Sequence, residues 1–155
     1  MMTLRKIYLL IYFFLLLGCG FQPINLDKNF SFAEINTSGD KRINYKLKNK
    51  LLTNSEKDNN NLIQLFIKTK KIKSIKEKNI SNEITKYNIK LNVDIKYDLI
   101  GKNISNEFTL SKKGDYNVST KYSDTLNNEK HIIDLLVGEV SDDILRYLEN
   151  NFNDL

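Results

Sequence analysis

The chain has 155 residues, a formal net charge of +5, one cysteine and one histidine. This length suits one domain and hardly two. A single cysteine and a single histidine exclude a disulfide framework and a transition-metal cluster. The modest charge, carried mostly by lysine, argues against a nucleic-acid partner.

The chain begins with a segment that has the pattern of a secretory signal. Arg5 and Lys6 precede an unbroken apolar run over residues 7–17, which Gly18 and Cys19 follow. Eleven apolar residues are too few for a membrane-spanning helix, which needs about 20. The order Leu-Leu-Gly-Cys resembles the lipobox of bacterial lipoproteins. That resemblance implies cleavage before Cys19, a diacylglycerol on its sulfur and acylation of its amine. The alternative is an uncleaved anchor with an unmodified Cys19.

The signal pattern and the cysteine divide the chain into three predicted parts. These are a signal peptide at residues 1–18, a lipidated tether at 19–28 and a folded domain at 29–155. Removing the signal takes two basic residues and lowers the formal charge to about +3. Gly20, not aspartate, follows the cysteine. By resemblance to the sorting rule of enterobacterial lipoproteins, this favours the outer membrane, with the domain on the periplasmic side.

The first half of the domain predicts a strand, a helix and a loop. Aromatic and branched residues at 30–36 are typical of a strand. Residues 37–40 offer turn and helix-capping side chains. In residues 41–52, Ile43, Leu47 and Leu51 recur every four positions, which predicts an amphipathic helix. The polar residues 53–61 are typical of a loop.

The second half predicts three strands and a long helix. A strand opens at Ile63 and runs toward Ile72, and a lysine-rich turn follows at 70–79. Strict alternation over residues 87–99 predicts a long strand with one apolar face. A further strand at 104–110 ends before a bend at Gly114. The closing helix, at 125–151, carries one apolar stripe, with Lys130, Glu139, Asp142, Asp143 and Glu149 on its polar side.

This order predicts an α+β fold, in which two helices pack on one face of a four-stranded, mostly antiparallel sheet (β-α-β-β-β-α). The polar face of the long strand could be solvated or could form a wet interface, and the sequence leaves both open.

Catalytic signals are scarce in this sequence. It has no glycine-rich phosphate loop and no nucleophile elbow. His131 is expected to be a surface or boundary residue, and Asp142 and Asp143 to be solvated charges. We therefore expect neither an enzyme nor a cofactor. Residues 68–78 contain six lysines, which could meet phosphates of a lipid headgroup or of lipopolysaccharide. The alternative is an exposed hairpin end in a lysine-rich chain.

The layout resembles the family of the lipopolysaccharide-assembly lipoprotein LptE, in its short alphaproteobacterial form. The residues that carry the resemblance are Cys19-Gly20-Phe21-Gln22-Pro23, then Arg42 with Leu47, Asn49 and Leu51, then residues 83–87, and finally residues 116–119 with Tyr122 and Ser123.

The resemblance implies a protein that plugs the outer-membrane β-barrel LptD, assists its assembly and helps insert lipopolysaccharide into the outer leaflet. Some family members bind lipopolysaccharide through basic residues. One such position matches the turn that contains Lys76 and Lys78, and the other falls near Leu126, with Lys130 the nearest cation. Two alternatives remain: an assembly or pilot lipoprotein of another envelope complex, and a periplasmic hydrolase that uses paired carboxylates such as Asp142 and Asp143.

Overall fold

The computed structural model describes residues 30–53 and 61–153, which form two helices and four strands. The elements in chain order are β1 (Ser31–Gly39), α1 (Lys41–Thr53), β2 (Leu62–Lys78), β3 (Ile84–Leu99), β4 (Ile104–Asn117) and α2 (Tyr122–Asn153). The predicted signal, the tether and most of the polar loop lie outside the described residues. The predicted α+β class is confirmed.

The strands lie in the order β1-β2-β3-β4. β2 pairs antiparallel with β3, and β3 with β4, whereas β1 runs parallel to β2. A parallel pair needs a crossover connection, and α1 lies in that connection. Both helices cover the same face of the sheet. The other face, called here the open face, carries no helix from the described residues. The core residues of the helices are Ile43, Leu47 and Leu51 of α1 and Ile133, Leu136, Val137, Val140, Ile144, Leu145, Leu148 and Phe152 of α2.

The alternation predicted for β3 is confirmed. Its buried residues are Ile89, Leu91, Val93, Ile95, Tyr97 and Leu99. The residues between them are polar and point to the open face. The strand begins at Ile84, three residues before the predicted start.

The prediction of a lysine-rich turn at residues 70–79 is wrong, because residues 70–78 continue β2. Lys71 pairs with Leu91, Lys73 with Ile89 and Lys78 with Ile84 across the β2–β3 hairpin. Pairing with a long partner strand therefore outweighs the low strand preference of lysine. The reversal itself spans residues 79–83, where Asn82 has a positive φ of 62°. There the side-chain oxygen of Asn79 accepts hydrogen bonds from the backbone N–H groups of Ser81 and Glu83.

The bend predicted at Gly114 is also wrong, since β4 continues to Asn117. Gly114 lies beneath α2, where an added Cβ would meet the side chains of Ile132 and Leu136 at 3.3–3.4 Å. This glycine makes room for the helix and does not turn the chain. The prediction that Glu149 lies on the polar side of α2 is also wrong, because this residue is buried and only 7% exposed.

The start of α1 is capped as the sequence indicates. The Asp40 carboxylate accepts hydrogen bonds from the backbone N–H groups of Arg42 and Ile43 at 3.0 and 3.1 Å. β1, however, runs through the predicted turn to Gly39. Gly39 has a φ of +98°, and a Cβ there would lie 2.0 Å from the Thr69 carbonyl oxygen. Only glycine allows β1 to approach β2 so closely before the helix begins.

Candidate functional site

The end of the β2–β3 hairpin is the most exposed part of the sheet. Side chains are exposed from Ile72 to Glu83, and Ile80 is fully exposed. Because strand residues alternate, the lysines of residues 68–78 divide between two faces. Lys71 and Lys73 point to the side of the helices, whereas Lys68 and Lys70 point to the open face. The six lysines therefore do not form one cluster.

Lys76 and Lys78, the residues predicted to contact lipopolysaccharide, both lie at this hairpin end. Lys76 forms an ion pair with Asp115 of β4. This hydrogen bond raises the pKa of Lys76 and lowers that of Asp115. Lys78 Nζ donates to Asn82 Oδ1 at 2.8 Å. The Lys76 charge thus already has a counter-charge, while Lys78 has only a neutral partner among the described residues.

A second group of charges joins the hairpin to the start of α2. The Glu129 carboxylate accepts hydrogen bonds from Lys73 Nζ at 2.7 Å and from the Tyr116 hydroxyl at 2.8 Å. Lys71 Nζ lies 3.6 Å from the same carboxylate. Lys73 Nζ also sits 4.3 Å from the ring centre of Tyr87, which stacks on Tyr116. We name this group the Glu129 cluster.

The Glu129 cluster predicts a pH-dependent contribution to stability. Burial alone would raise the pKa of Glu129, but the hydrogen bonds from Lys73 and Tyr116 outweigh it and lower that pKa. A lowered pKa in the folded state stabilises the protein above the ordinary glutamate pKa of about 4.3, and the benefit is lost as pH falls through the folded value. We expect Glu129→Gln to lower the free energy of unfolding at pH 7 by about 1 kcal/mol.

Urea unfolding at pH 7 and at pH 3 measures this effect. The deficit of Glu129→Gln should be present at pH 7 and should be smaller at pH 3, which lies below the ordinary glutamate pKa of about 4.3. Glu139→Gln, an exposed carboxylate on the same helix, serves as the control and should change little at either pH. An equal deficit at both pH values would show that the ionised carboxylate is not what stabilises the cluster.

The open face is a polar surface built from cross-strand pairs. Thr109 donates to Asp94 at 3.0 Å and Ser111 to Asn92 at 2.9 Å. A groove of about 650 Å³ crosses this face and all four strands. Phe66, 36% exposed, lies on its floor, with Lys96 Nζ 5.9 Å from the ring centre. The face offers many hydrogen-bonding groups, and it also exposes the apolar side chains of Leu62, Phe66 and Ile72.

The remaining candidate residues lie on α2. His131 and Asp142 are exposed. Asp143 forms an ion pair with Lys112 of β4, with 2.6 Å between Lys112 Nζ and Asp143 Oδ2. Leu126 and Lys130 are exposed near the helix start. Within residues 30–53 and 61–153, no three His, Cys, Asp or Glu residues lie close enough to hold a metal ion. Neither described helix is apolar enough over a sufficient length to cross a bilayer.

The fold is similar to that of several solved bacterial lipoproteins. The chain superposes on rare lipoprotein B from Shewanella oneidensis with a TM-score of 0.59 at 15% identity, covering 78% of this chain and 97% of that one. A protein assigned as a lipoprotein from Caulobacter crescentus CB15 gives 0.58 at 11%, covering 77% and 90%. Lipoprotein B from Nitrosomonas europaea gives 0.52 at 15%, covering 84% and 90%. The chain shares its fold with these three structures.

At these identities the likeness concerns the fold alone. No family model matches the chain, and a search of curated proteins finds no significant match. The aligned part nevertheless includes 90–97% of each solved structure. Cys19 lies outside the described residues, and its lipidation remains a prediction from the sequence.

Proposed function

We propose that this chain is a lipid-anchored outer-membrane protein of the LptE type, which binds the barrel LptD and assists its assembly and the insertion of lipopolysaccharide. It acts by binding, without catalysis or a cofactor. The observation that carries the proposal is the shared fold with rare lipoprotein B, found in a chain whose sequence places Leu-Leu-Gly-Cys before the domain. The fold alone and the Leu-Leu-Gly-Cys motif alone each occur in many proteins. Their combination in one chain is what supports the proposed function.

The open face supports the proposed place of the domain inside a barrel. Lumen-facing surfaces of large outer-membrane barrels are polar and often water-filled. A sheet face lined with hydroxyl, amide and charged groups can exchange hydrogen bonds with such a wall directly or through water. The rigid pairing of Thr109 with Asp94 and of Ser111 with Asn92 keeps these groups in place before a partner arrives.

Lys76 and Lys78 are proposed to contact lipopolysaccharide phosphates at the hairpin end. We expect Lys76→Gln/Lys78→Gln to weaken binding of purified lipopolysaccharide at moderate salt about tenfold, since a charge-assisted contact contributes on the order of 1 kcal/mol. The matched control is Lys41→Gln/Lys102→Gln, which removes the same charge from exposed positions elsewhere. Equal affinities for the two double variants would remove the hairpin end from the binding surface.

Depletion of the protein in its native bacterium tests the proposed function. The proposal expects misassembled LptD and less lipopolysaccharide at the cell surface, while other outer-membrane barrels stay folded. Normal LptD and normal surface lipopolysaccharide, with a defect in a different envelope complex, would favour an assembly or pilot lipoprotein of that complex instead.

A further inference from the structure

The outer edge of β4 is long and regular. β4 has 14 residues and no proline, and its pairing with β3 runs without a register shift. Edge strands usually carry a bulge, a proline or an inward-pointing charge, because bare edges pair with other chains. Such protection is present at the other edge of the sheet. β1 has a bulge between Phe32 and Glu34, and Lys48 Nζ donates to its Ile35 carbonyl at 3.0 Å.

The backbone groups that β4 presents at its outer edge belong to odd-numbered residues. Just past the strand, the Val118 N–H donates to the Thr85 carbonyl of β3 at 2.9 Å, so even-numbered residues direct their backbone groups toward β3. The Asn117 carbonyl points outward and accepts from Asn128 Nδ2 at 3.1 Å. No described side chain bonds to the other outward groups, which belong to Ser105, Glu107, Thr109, Ser111, Lys113 and Asp115.

The charges of β4 complement each other when the strand is paired with a reversed copy of itself. Glu107 lies three residues before Leu110, and Lys113 lies three residues after it. An antiparallel pair of β4 edges centred on Leu110 therefore puts Glu107 of each copy opposite Lys113 of the other. It also puts odd-numbered residues opposite each other, so their outward groups can exchange about twelve hydrogen bonds. A register shifted by two residues keeps the backbone pairing but loses both charge contacts.

Lys113 has no carboxylate opposite it in the described sheet. Its partner on β3 is Lys90, and like charges directly opposite each other destabilise a sheet. In the paired arrangement, Glu107 of the second copy lies on the other side of Lys113 and offsets this repulsion. Lys112, on the side of the helices, already forms an ion pair with Asp143 and adds no unmatched charge to the interface.

We propose that two copies of this chain pair antiparallel through their β4 edges, centred on Leu110, so that their sheets become continuous. Such a two-fold arrangement uses the same surface on both copies and leaves no further β4 edge. The joined sheet ends on each side at β1, whose bulge and contact with Lys48 oppose further pairing. The interface does not depend on the proposed barrel partner.

Disulfide trapping of the lipidated full-length protein, with non-ionic micelles in large excess over protein, tests the pairing. Leu110→Cys puts two thiols at the two-fold axis, where the Cα atoms of a non-hydrogen-bonded pair lie about 4.5 Å apart, which a disulfide can span. Ser105→Cys is the control, because this exposed residue lies on the same strand but about 34 Å from its copy in this register. The unchanged chain, with Cys19 as its only cysteine, reports any cross-link from outside β4.

Leu110→Cys is expected to form a covalent dimer under mild oxidation, whereas Ser105→Cys and the unchanged chain should stay monomeric. Equal cross-linking of the two variants, or none in folded Leu110→Cys, would overturn the proposal. If Leu110→Cys does not fold, a mixture of Thr109→Cys chains and Ser111→Cys chains replaces it, since these exposed residues lie opposite each other across the axis.

Charge exchange tests the register. Lys113→Glu puts two pairs of like charges across the interface, and we expect it to weaken dimerisation in sedimentation equilibrium by about tenfold. Lys90→Glu, the same change one strand away from the edge, should weaken it a few-fold at most. Glu107→Lys/Lys113→Glu exchanges the two charges and should restore the affinity. Unchanged dimerisation of Lys113→Glu, or a loss that the exchange does not recover, would overturn the centring on Leu110.

Discussion

Val93→Asp is expected to unfold the domain. Val93 is 0% exposed at the centre of β3, where its cross-strand partners are Thr69 and Leu110. A carboxylate at this position would lose its water without gaining a cationic partner, which costs several kcal/mol. Domains of this size are stable by only about 5–15 kcal/mol, so this single change removes much or all of the folding free energy.

Far-UV circular dichroism during heating measures the loss. The variant should show no cooperative transition, or a Tm lower by about 15 °C or more, since 1 kcal/mol shifts Tm by about 3–6 °C at this size. Asn92→Asp is the matched control, because it introduces the same group one residue away on the open face, near Lys70 and Lys90. Its Tm should change little. An unchanged Tm in Val93→Asp would mean that the two faces of β3 are wrongly assigned.

Cys19→Ser is expected to abolish lipidation and signal cleavage together. A serine hydroxyl cannot form the thioether to diacylglycerol, and the resemblance to the lipobox implies that cleavage follows that modification. Two or three acyl chains, at about 0.8 kcal/mol per buried methylene, hold a protein on a membrane far more firmly than one chain does. The mature lipoprotein should therefore disappear from the outer-membrane fraction.

Metabolic labelling with a radioactive fatty acid, together with intact-mass measurement, tests this expectation. The unchanged chain should carry the label and lack residues 1–18, whereas Cys19→Ser should be unlabelled and retain them. Gly20→Ser, which keeps the cysteine, should be labelled and cleaved as before. A label on the Cys19→Ser chain would show that the acyl groups are attached elsewhere.

The parts of the fold that follow from local periodicity could be predicted from the sequence. The period of two over residues 87–99 and the four-residue spacing of Ile43, Leu47 and Leu51 both report which side chains face the core, and the structure buries those residues. Asp40 was readable as a helix cap because the capping hydrogen bonds span only two or three residues.

Elements whose structure depends on distant partners are not predicted correctly from the sequence. Residues 70–78 are mostly polar, and they form a strand because β3 supplies the complementary backbone groups. Gly114 has the appearance of a turn residue, but its small size serves the packing of Ile132 and Leu136 from α2. Neither relation has a local signal in the chain.

The candidate sites could not be predicted from the sequence for the same reason, because their residues are far apart in the chain. Lys73 and Glu129 meet across 56 residues, and Lys90 faces Lys113 only because the register of β3 and β4 brings them together. A shift of one residue would turn one of these two lysines toward the helices. A single sequence indicates which residues are charged, whereas register decides which charges become neighbours.

We propose that this domain works as the partner of an outer-membrane barrel. The most direct test is affinity purification of the C-terminally tagged, lipidated protein from outer membranes in mild detergent, followed by quantitative mass spectrometry. Our account predicts that LptD co-purifies in about equal molar amount. Recovery of the protein with no barrel, or with the components of a different envelope complex, would contradict it.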